Sequence, residues 1–193
     1  RYSDPENSNY DSLICLDKSD GSYRWHYEIF SQTGTNIAVI RQSPAVDEND
    51  TTYFGTKTMG NDYGSLYAVS SAGAELWHNT ANTEDHYSSP AIGNDGVLYF
   101  GSEGTRFNAV NKDTGEYVWN IMLPIPGGGD VTWSSPVIDS NGIVYVGTNW
   151  SIKEDETRGP GYLVAIKTDS TGLSDTAAWP KYQGGNRNTG RSN

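Results

Sequence analysis

Apolar positions along this chain come in short bursts rather than long stripes, and the bursts repeat. Ser88–Ser102 reads SSPAIGNDGVLYFGS, with two apolar runs, Ala91-Ile92 and Val97-Leu98-Tyr99-Phe100, flanking Gly93-Asn94-Asp95-Gly96. That central tetrad has the composition of a tight turn, so the stretch predicts a hairpin. The same order returns in SPAVDENDTTYFGT at Ser43–Thr56 and in SSPVIDSNGIVYVGT at Ser134–Thr148. The Ser-Pro pairs start at 43, 89 and 135 and the Tyr-x-Gly triplets at 53, 99 and 145, so every step is 46 residues. Chance apolar runs do not hold phase over such a length; this is an internal repeat.

A second apolar pair follows each hairpin. Leu66-Tyr67-Ala68-Val69 leads through Ser71-Ala72-Gly73 to Glu75-Leu76-Trp77. Phe107-Asn108-Ala109-Val110 leads through Asn111–Gly115 to Tyr117-Val118-Trp119. Tyr162–Ile166 leads through a longer Asp169–Thr176 turn to Ala178-Trp179, and the N-terminal region adds Leu13–Leu16, Asp17–Ser22 and Tyr23-Arg24-Trp25. Each unit therefore predicts four short strands, A to D, with turns at A–B and C–D. Four antiparallel strands in about 46 residues, ending in tryptophan, are one blade of an all-β propeller. The expected organisation is a single propeller segment over residues 1–193: a half-blade at 12–28, blades at about 43–77, 89–119 and 135–182, and a tail at 183–193. Trp25, Trp77, Trp119 and Trp179 recur in phase and are expected in the blade–blade core, each worth roughly 2–3 kcal/mol by buried area.

Composition supports this reading. Thirteen tyrosines and six tryptophans suit pleated surfaces, and 22 glycines suit many turns. The net charge of −11 leaves no basic stripe for phosphate contacts, which argues against a nucleic-acid partner. No apolar run reaches membrane-spanning length, and Cys15 is the one cysteine, so no intrachain disulfide forms. The chain starts with Arg and is expected to be a processed or excised form.

The order Ser-Pro-(Ala/Val)-(Ile/Val), Gly-x-(Val/Leu)-Tyr-(Phe/Val)-Gly and Leu-Tyr-Ala-Val-x-x-x-x-Gly-x-x-x-Trp resembles the PQQ-type propeller repeat, best over residues 89–119. The tail from Trp179-Pro180 to Asn188-Thr189-Gly190 resembles a segment common at the ends of such propellers. The family holds quinoprotein alcohol and glucose dehydrogenases and many members that bind no quinone, including the outer-membrane barrel-assembly lipoprotein. The resemblance therefore implies the fold more strongly than a function. Such propellers usually close with seven or eight blades, whereas about three and a half repeats stand here. Three arrangements remain open: a piece of a longer ring, two chains completing one ring as a homodimer, or a small ring closed by the tail on the N-terminal strands.

Loop lengths separate two faces. From the Ser-Pro proline to the Tyr-x-Gly glycine is 11 residues in each copy. From that glycine to the strand-C alanine the separation is 13, 8 and 18 residues, and the D–A links vary as well. In an antiparallel blade the A–B and C–D turns share one face and the B–C and D–A connections the other. Variable loops on a rigid scaffold are where binding sits. The candidate ligand residues are therefore Arg41, Asp85, His86, Tyr87, Asp130 and Trp133 at the central mouth and Trp150 in a B–C loop. Aromatics beside carboxylates suit a protein, peptide or glycan.

Signals for chemistry are weak. The Asp47–Asp50 and Asp139–Gly142 stretches resemble calcium-loop fragments but lack the closing glutamate, and they fall in the A–B turns. His26 and His78 directly follow blade-ending tryptophans, and Cys15 replaces a core alanine and is expected to be buried. No catalytic or metal-binding residues are assigned. The resemblance implies PQQ and Ca²⁺ only for an enzymatic member; the single cysteine rules out the vicinal disulfide of the alcohol dehydrogenases, and half a ring cannot supply a complete cofactor site. The expectation is a non-catalytic, secreted or periplasmic binding scaffold with no cofactor, the alternative being part of a PQQ-dependent dehydrogenase.

Overall fold

The structure is a computed structural model that describes residues 11–29, 37–59, 64–79, 88–126, 133–149 and 159–185. Every sheet pairing among them is antiparallel. The half-blade is the hairpin β1 (Ser12–Leu16) and β2 (Tyr23–Glu28). A short strand β3 (Ile37–Val39) follows. The first blade comprises β4 (Ala45–Val46), β5 (Thr52–Gly55), β7 (Leu66–Val69) and β8 (Glu75–Asn79), in that spatial order, with β6 (Lys57–Met59) set apart from it. The second blade comprises β9 (Ala91–Ile92), β10 (Val97–Gly101), β11 (Arg106–Asn111) and β12 (Tyr117–Met122). The third contains β13 (Val137–Ile138), β14 (Ile143–Gly147) and β15 (Leu163–Lys167).

The sheets stack in chain order, and each interface has its own core. Leu13, Trp25, Tyr27 and Ile29 of the half-blade region pack against Phe54, Tyr67 and Val69 of the first blade. Ala45, Tyr53, Leu66 and Ala68 on the other side of that blade meet Ile92, Leu98, Phe100 and Val110 of the second. Ala91, Tyr99, Phe107 and Ala109 then meet Ile138, Val144 and Val146 of the third. Period-two alternation sends successive residues of one strand to opposite neighbours, so a strand between two blades is apolar throughout. That explains the continuously buried β7 and the buried centre of β11.

The tryptophans fix the stacking. Trp25, Trp77 and Trp119 pair across their hairpins with Cys15, Ala68 and Ala109, and a bulge follows each pair at the same place. The Trp25 indole lies on Gly73 of the next blade's C–D turn, where an added Cβ would stand 2.8 Å from the ring, and its Nε1 donates to the Ser71 carbonyl at 2.8 Å. Trp77 repeats this on Gly115, with its Nε1 donating to the Lys112 carbonyl at 3.0 Å. Both glycines have positive φ, 81° and 74°, so the seat requires glycine for conformation and for space. Trp119 departs from the pattern: it packs on Tyr99 and Phe107 of its own blade, and among the described residues no glycine turn of the third blade receives it.

Two expectations need correction. The phase of Trp179 predicts a place in the outer strand of the third blade, but it lies at the inner edge of the first, where it and Val46 exchange backbone hydrogen bonds of 2.8 and 2.9 Å. The chain leaving β15 is tied by Thr168 to the Gly142 carbonyl and then crosses the innermost strands. Asn94 donates to Gly172, Ser174 to Ile92, and Ile92 to Pro180. The unpaired inner edges of β4 and β9 are the open hydrogen-bonding positions, and this segment fills them. Among the described residues the third blade therefore has three strands, and residues 172–180 run along the inner edges of the first and second blades. Cys15, expected to be buried, is half-buried: among the described residues no inner strand pairs with β1 on the side away from β2.

Substitution of these glycines separates seat from strain. Gly21 has φ +73° and an added Cβ there would meet nothing within 4 Å, so Gly21→Ala meets only left-handed strain, about 1–2 kcal/mol. Gly115→Ala also displaces the Trp77 indole and is expected to cost at least about 1 kcal/mol more by urea unfolding. Trp77→Ala is expected to cost about 3 kcal/mol. Equal midpoints for the two glycine variants would contradict the seat.

Candidate functional site

The two faces of the stack are built differently. On the A–B/C–D face the turns are locked. The Asp47 carboxylate accepts from the backbone N–H groups of Asn49 and Thr51 at 2.9 Å and from the Tyr53 hydroxyl at 2.9 Å. Asp139 does the same for Asn141, Ile143 and Tyr145. In the second blade glycine stands at the corresponding position 93, and Asp95 takes over the Tyr99 hydroxyl at 2.6 Å. These aspartates hold turns, and the cross-blade contact that Asp47 makes is to a lysine. Lys112 reaches from the second blade to Asp47 at 3.4 Å and Glu48 at 3.5 Å, while Asp113 stands at 2.9 Å. Burial disfavours the Lys112 ammonium, but its hydrogen bond to Asp113 and the surrounding carboxylates outweigh this and raise its pKa.

The opposite face carries the variation. Position 56, 102 or 148 stands at the base of each B–C loop and closes it. Thr56 N donates to Ser65 O at 2.9 Å and Ser65 N returns to Thr56 Oγ1 at 3.0 Å. Thr148 and Tyr162 repeat this pair at 2.8 and 3.0 Å, and Ser102 N donates to Arg106 O at 3.0 Å. Loops that close on partners 9, 4 and 14 positions away thus spring from equivalent bases. The length of a loop is decoupled from the sheet beneath it, as a binding surface on a scaffold requires.

At the central mouth the Ser-Pro steps are chained between blades. Ser43 N donates to Ser89 Oγ at 3.1 Å, Ser88 Oγ donates to Ser134 O at 2.8 Å, and Ser134 Oγ accepts from Gly147 N at 2.9 Å. The first two are contacts at the repeat spacing of 46, so the mouth is a rigid rim. On this rim Arg41 is exposed, and its backbone N–H donates to the Gln42 side-chain oxygen at 3.2 Å. The Gln42 Nε2 is buried and has no hydrogen-bond partner among the described residues. Trp133, 63 % exposed, presents a large apolar surface to solvent. Asp85, His86, Tyr87, Asp130 and Trp150 lie outside the described residues. Arg41 and Trp133 are thus the predicted site residues that the structure places.

The sequence reading missed a ribbon on this face. Ile37–Val39 of the D–A link pairs antiparallel with Lys57–Met59 of the first B–C loop, Val39 opposite Lys57. Ala38 is buried in the core beside Phe54 and Tyr67, and Ile40 N donates to Asp11 Oδ2 at 3.2 Å. The run Ile37-Ala38-Val39-Ile40 was the available signal.

The half-blade is pinned to the first blade by a polar contact on the outer rim. The Tyr27 hydroxyl donates to Glu75 Oε2, and His78 Nδ1 lies 2.7 Å from Glu75 Oε1. Burial opposes ionisation of Glu75, but the hydrogen bonds from Tyr27 and His78 prevail and lower its pKa.

This stack of antiparallel blades, two of them four-stranded among the described residues, defines an arc of a β-propeller, and the chain carries PQQ-like repeats. Residues 62–157, just under half of the chain, match the family model described as outer membrane protein assembly factor BamB. Among solved structures, quinohemoprotein alcohol dehydrogenase from Comamonas testosteroni is similar at TM-score 0.62 and 19 % identity, over 91 % of this chain and 34 % of that one. BamB from Moraxella catarrhalis is similar at TM-score 0.53 and 18 % identity, over 83 % and 45 %. A europium-containing methanol dehydrogenase gives 0.59 and 16 %, over 84 % and 37 %. At these identities the likeness shows the fold, and the chain spans about a third to just under half of the length of those proteins. Comparison with curated protein sequences finds no match.

The depressed Glu75 pKa sets an acid dependence. A carboxylate held below its ordinary 4.5 contributes stability that is full above that value and is lost as pH falls through the folded-state pKa. Glu75→Gln is expected to flatten the fall in unfolding free energy below pH 4.5, read from urea melts at successive pH values. An unchanged acid slope would contradict the contact.

Proposed function

We propose that this propeller arc is a non-catalytic binding platform of the periplasm or cell exterior that presents its B–C/D–A face to a protein or peptide. One observation carries the reading: connections of unequal length rise from equivalent bases on that face, around a rim that holds Trp133 and Arg41. The opposite face is occupied by hydrogen-bonded turns and the Lys112 cluster. The match to the BamB family model supports a protein partner, and the net charge of −11 favours neutral or basic surfaces over polyanions.

The dehydrogenase alternative asks for a quinone with cationic partners and a Ca²⁺ with six to eight oxygen ligands. The described rim supplies Arg41 and serine hydroxyls already engaged between blades. No group of three or more His, Cys, Asp or Glu that could hold a metal occurs among the described residues. The described residues of the rim alone do not supply that donor set.

The test is selection of displayed peptides on the immobilised chain. Selected peptides are expected to lose about tenfold or more in affinity to Trp133→Ala, as for an aromatic anchor. Glu48→Gln on the opposite face should leave them unchanged. PQQ with Ca²⁺ should neither raise the thermal midpoint nor support dye-linked oxidation of an alcohol or glucose. A raised midpoint with such oxidation would overturn the platform reading.

A further inference from the structure

We infer that residues 173–182 form a strap that opens as one unit, and that the inner edges of β4 and β9 beneath it accept an extended peptide. The closed strap is then the chain's own occupant of a second peptide site, separate from the Trp133 rim. This goes beyond the platform reading and rests on contacts inside the chain.

Left-handed backbone brackets the strap. Gly172 has φ +140°, and at the other end Gln183 and Gly184 have φ +61° and +84°. Gln183 carries its side chain in a region that L residues rarely adopt, so closure holds strain at that end. A few such positions on either side of a segment can absorb the change in φ and ψ that a hinge requires.

Between these hinges the strap is joined to the blades by backbone bonds more than by apolar area. Val46 N donates to Trp179 O at 2.8 Å and Trp179 N returns to Val46 O at 2.9 Å. Ile92 N donates to Pro180 O and Ser174 N to Ile92 O, both at 2.8 Å, and Asn94 N donates to Gly172 O at 3.0 Å. Ala177 and Pro180 are buried, whereas Leu173 and Trp179 are half-buried and Ser174, Asp175 and Thr176 bring no large apolar group. The buried Lys181 ammonium donates to Tyr182 O within the strap itself, at 3.0 Å. A segment with so little buried apolar surface opens below the free energy of global unfolding. The blades beneath keep their own pairing: Ala45 and Val46 stay opposite Tyr53 and Thr52, and Ala91 and Ile92 opposite Tyr99 and Leu98.

Opening frees the N–H and C=O groups of Val46 and Ile92, on two neighbouring blades. Edges of this kind take an extended peptide as an added strand. The strap shows the fit, because it meets β4 antiparallel at Trp179 and sends Ala177 into the core between the first and second blades. The matching partner is an extended segment with a small apolar residue two positions before the one that pairs with Val46.

Amide exchange followed by NMR reads the opening. The amides of Val46, Ile92, Asn94, Ser174 and Trp179 are expected to share one protection factor, about tenfold or more below that of the bonded amides in β10 and β11. A synthetic acetylated peptide of residues 172–184 probes the edge. The closed strap competes with it, so its affinity is expected to rise about tenfold or more when the strap is weakened. Gly172→Val acts at the hinge, where φ +140° opposes a side chain although the added Cβ meets nothing nearer than 3.6 Å. Ala177→Asp acts in the core, and the circular dichroism spectrum reports whether the blades persist in each variant. Exchange of the five amides together with β10 and β11, or at unrelated rates, would overturn the strap. Equal peptide affinity in parent and variants with unchanged spectra would overturn the edge, and loss of the spectrum in both variants would show strap and blades to be one cooperative unit, against the inference. Each of these failures would leave the Trp133-dependent binding untouched.

Discussion

The joints between the half-blade, the first blade and the second blade depend on an indole seated on a left-handed glycine. A four-stranded blade of short strands cannot stand alone, because both of its faces are apolar and each must be covered. The seat solves this in one contact. The tryptophan that ends one blade lies on the next blade's C–D turn, where the absence of a Cβ admits the ring and the positive φ requires glycine. Its N–H then donates to a backbone carbonyl of that turn. Direction and spacing between neighbouring sheets follow from this one fit, and the buried faces of Tyr53, Leu98 and Val110 pack into the register it sets.

A stack so fixed separates stability from function. The A–B turns carry aspartates that bind their own backbone and, in the first blade, a lysine of the neighbour. On the opposite face a threonine or serine closes the foot of each B–C loop, and above that foot the loop can grow without disturbing a strand. The β3–β6 ribbon is such growth: two connections of different blades that found each other above the sheet.

The repeat, the blade strands, the phase of Trp25, Trp77 and Trp119 and the division into two faces were legible in the sequence, because each is local or periodic. What was not legible is non-local. Trp179 follows an alanine in phase, and nothing in that pairing says which backbone it will meet. The eight-residue Asp169–Thr176 stretch, too long for a tight C–D turn, was the sign that the chain leaves its blade. The ribbon was hidden because two short runs about twenty residues apart declare no partner. Of the candidate site, Arg41 and Trp133 lie beside the Ser-Pro steps as their phase predicts, and the serine chain linking the blades there was missed because serine before proline reads as turn chemistry.

Exchange of the indole N–H protons, followed by NMR with each resonance assigned by a Trp→Phe substitution, tests the seat most directly. The account predicts slow exchange for Trp77, whose N–H is donated to Lys112, and fast exchange for Trp119, which has no glycine turn among the described residues to receive it. Equal exchange at the two positions would show that no indole is seated and that the blades are held together in some other way.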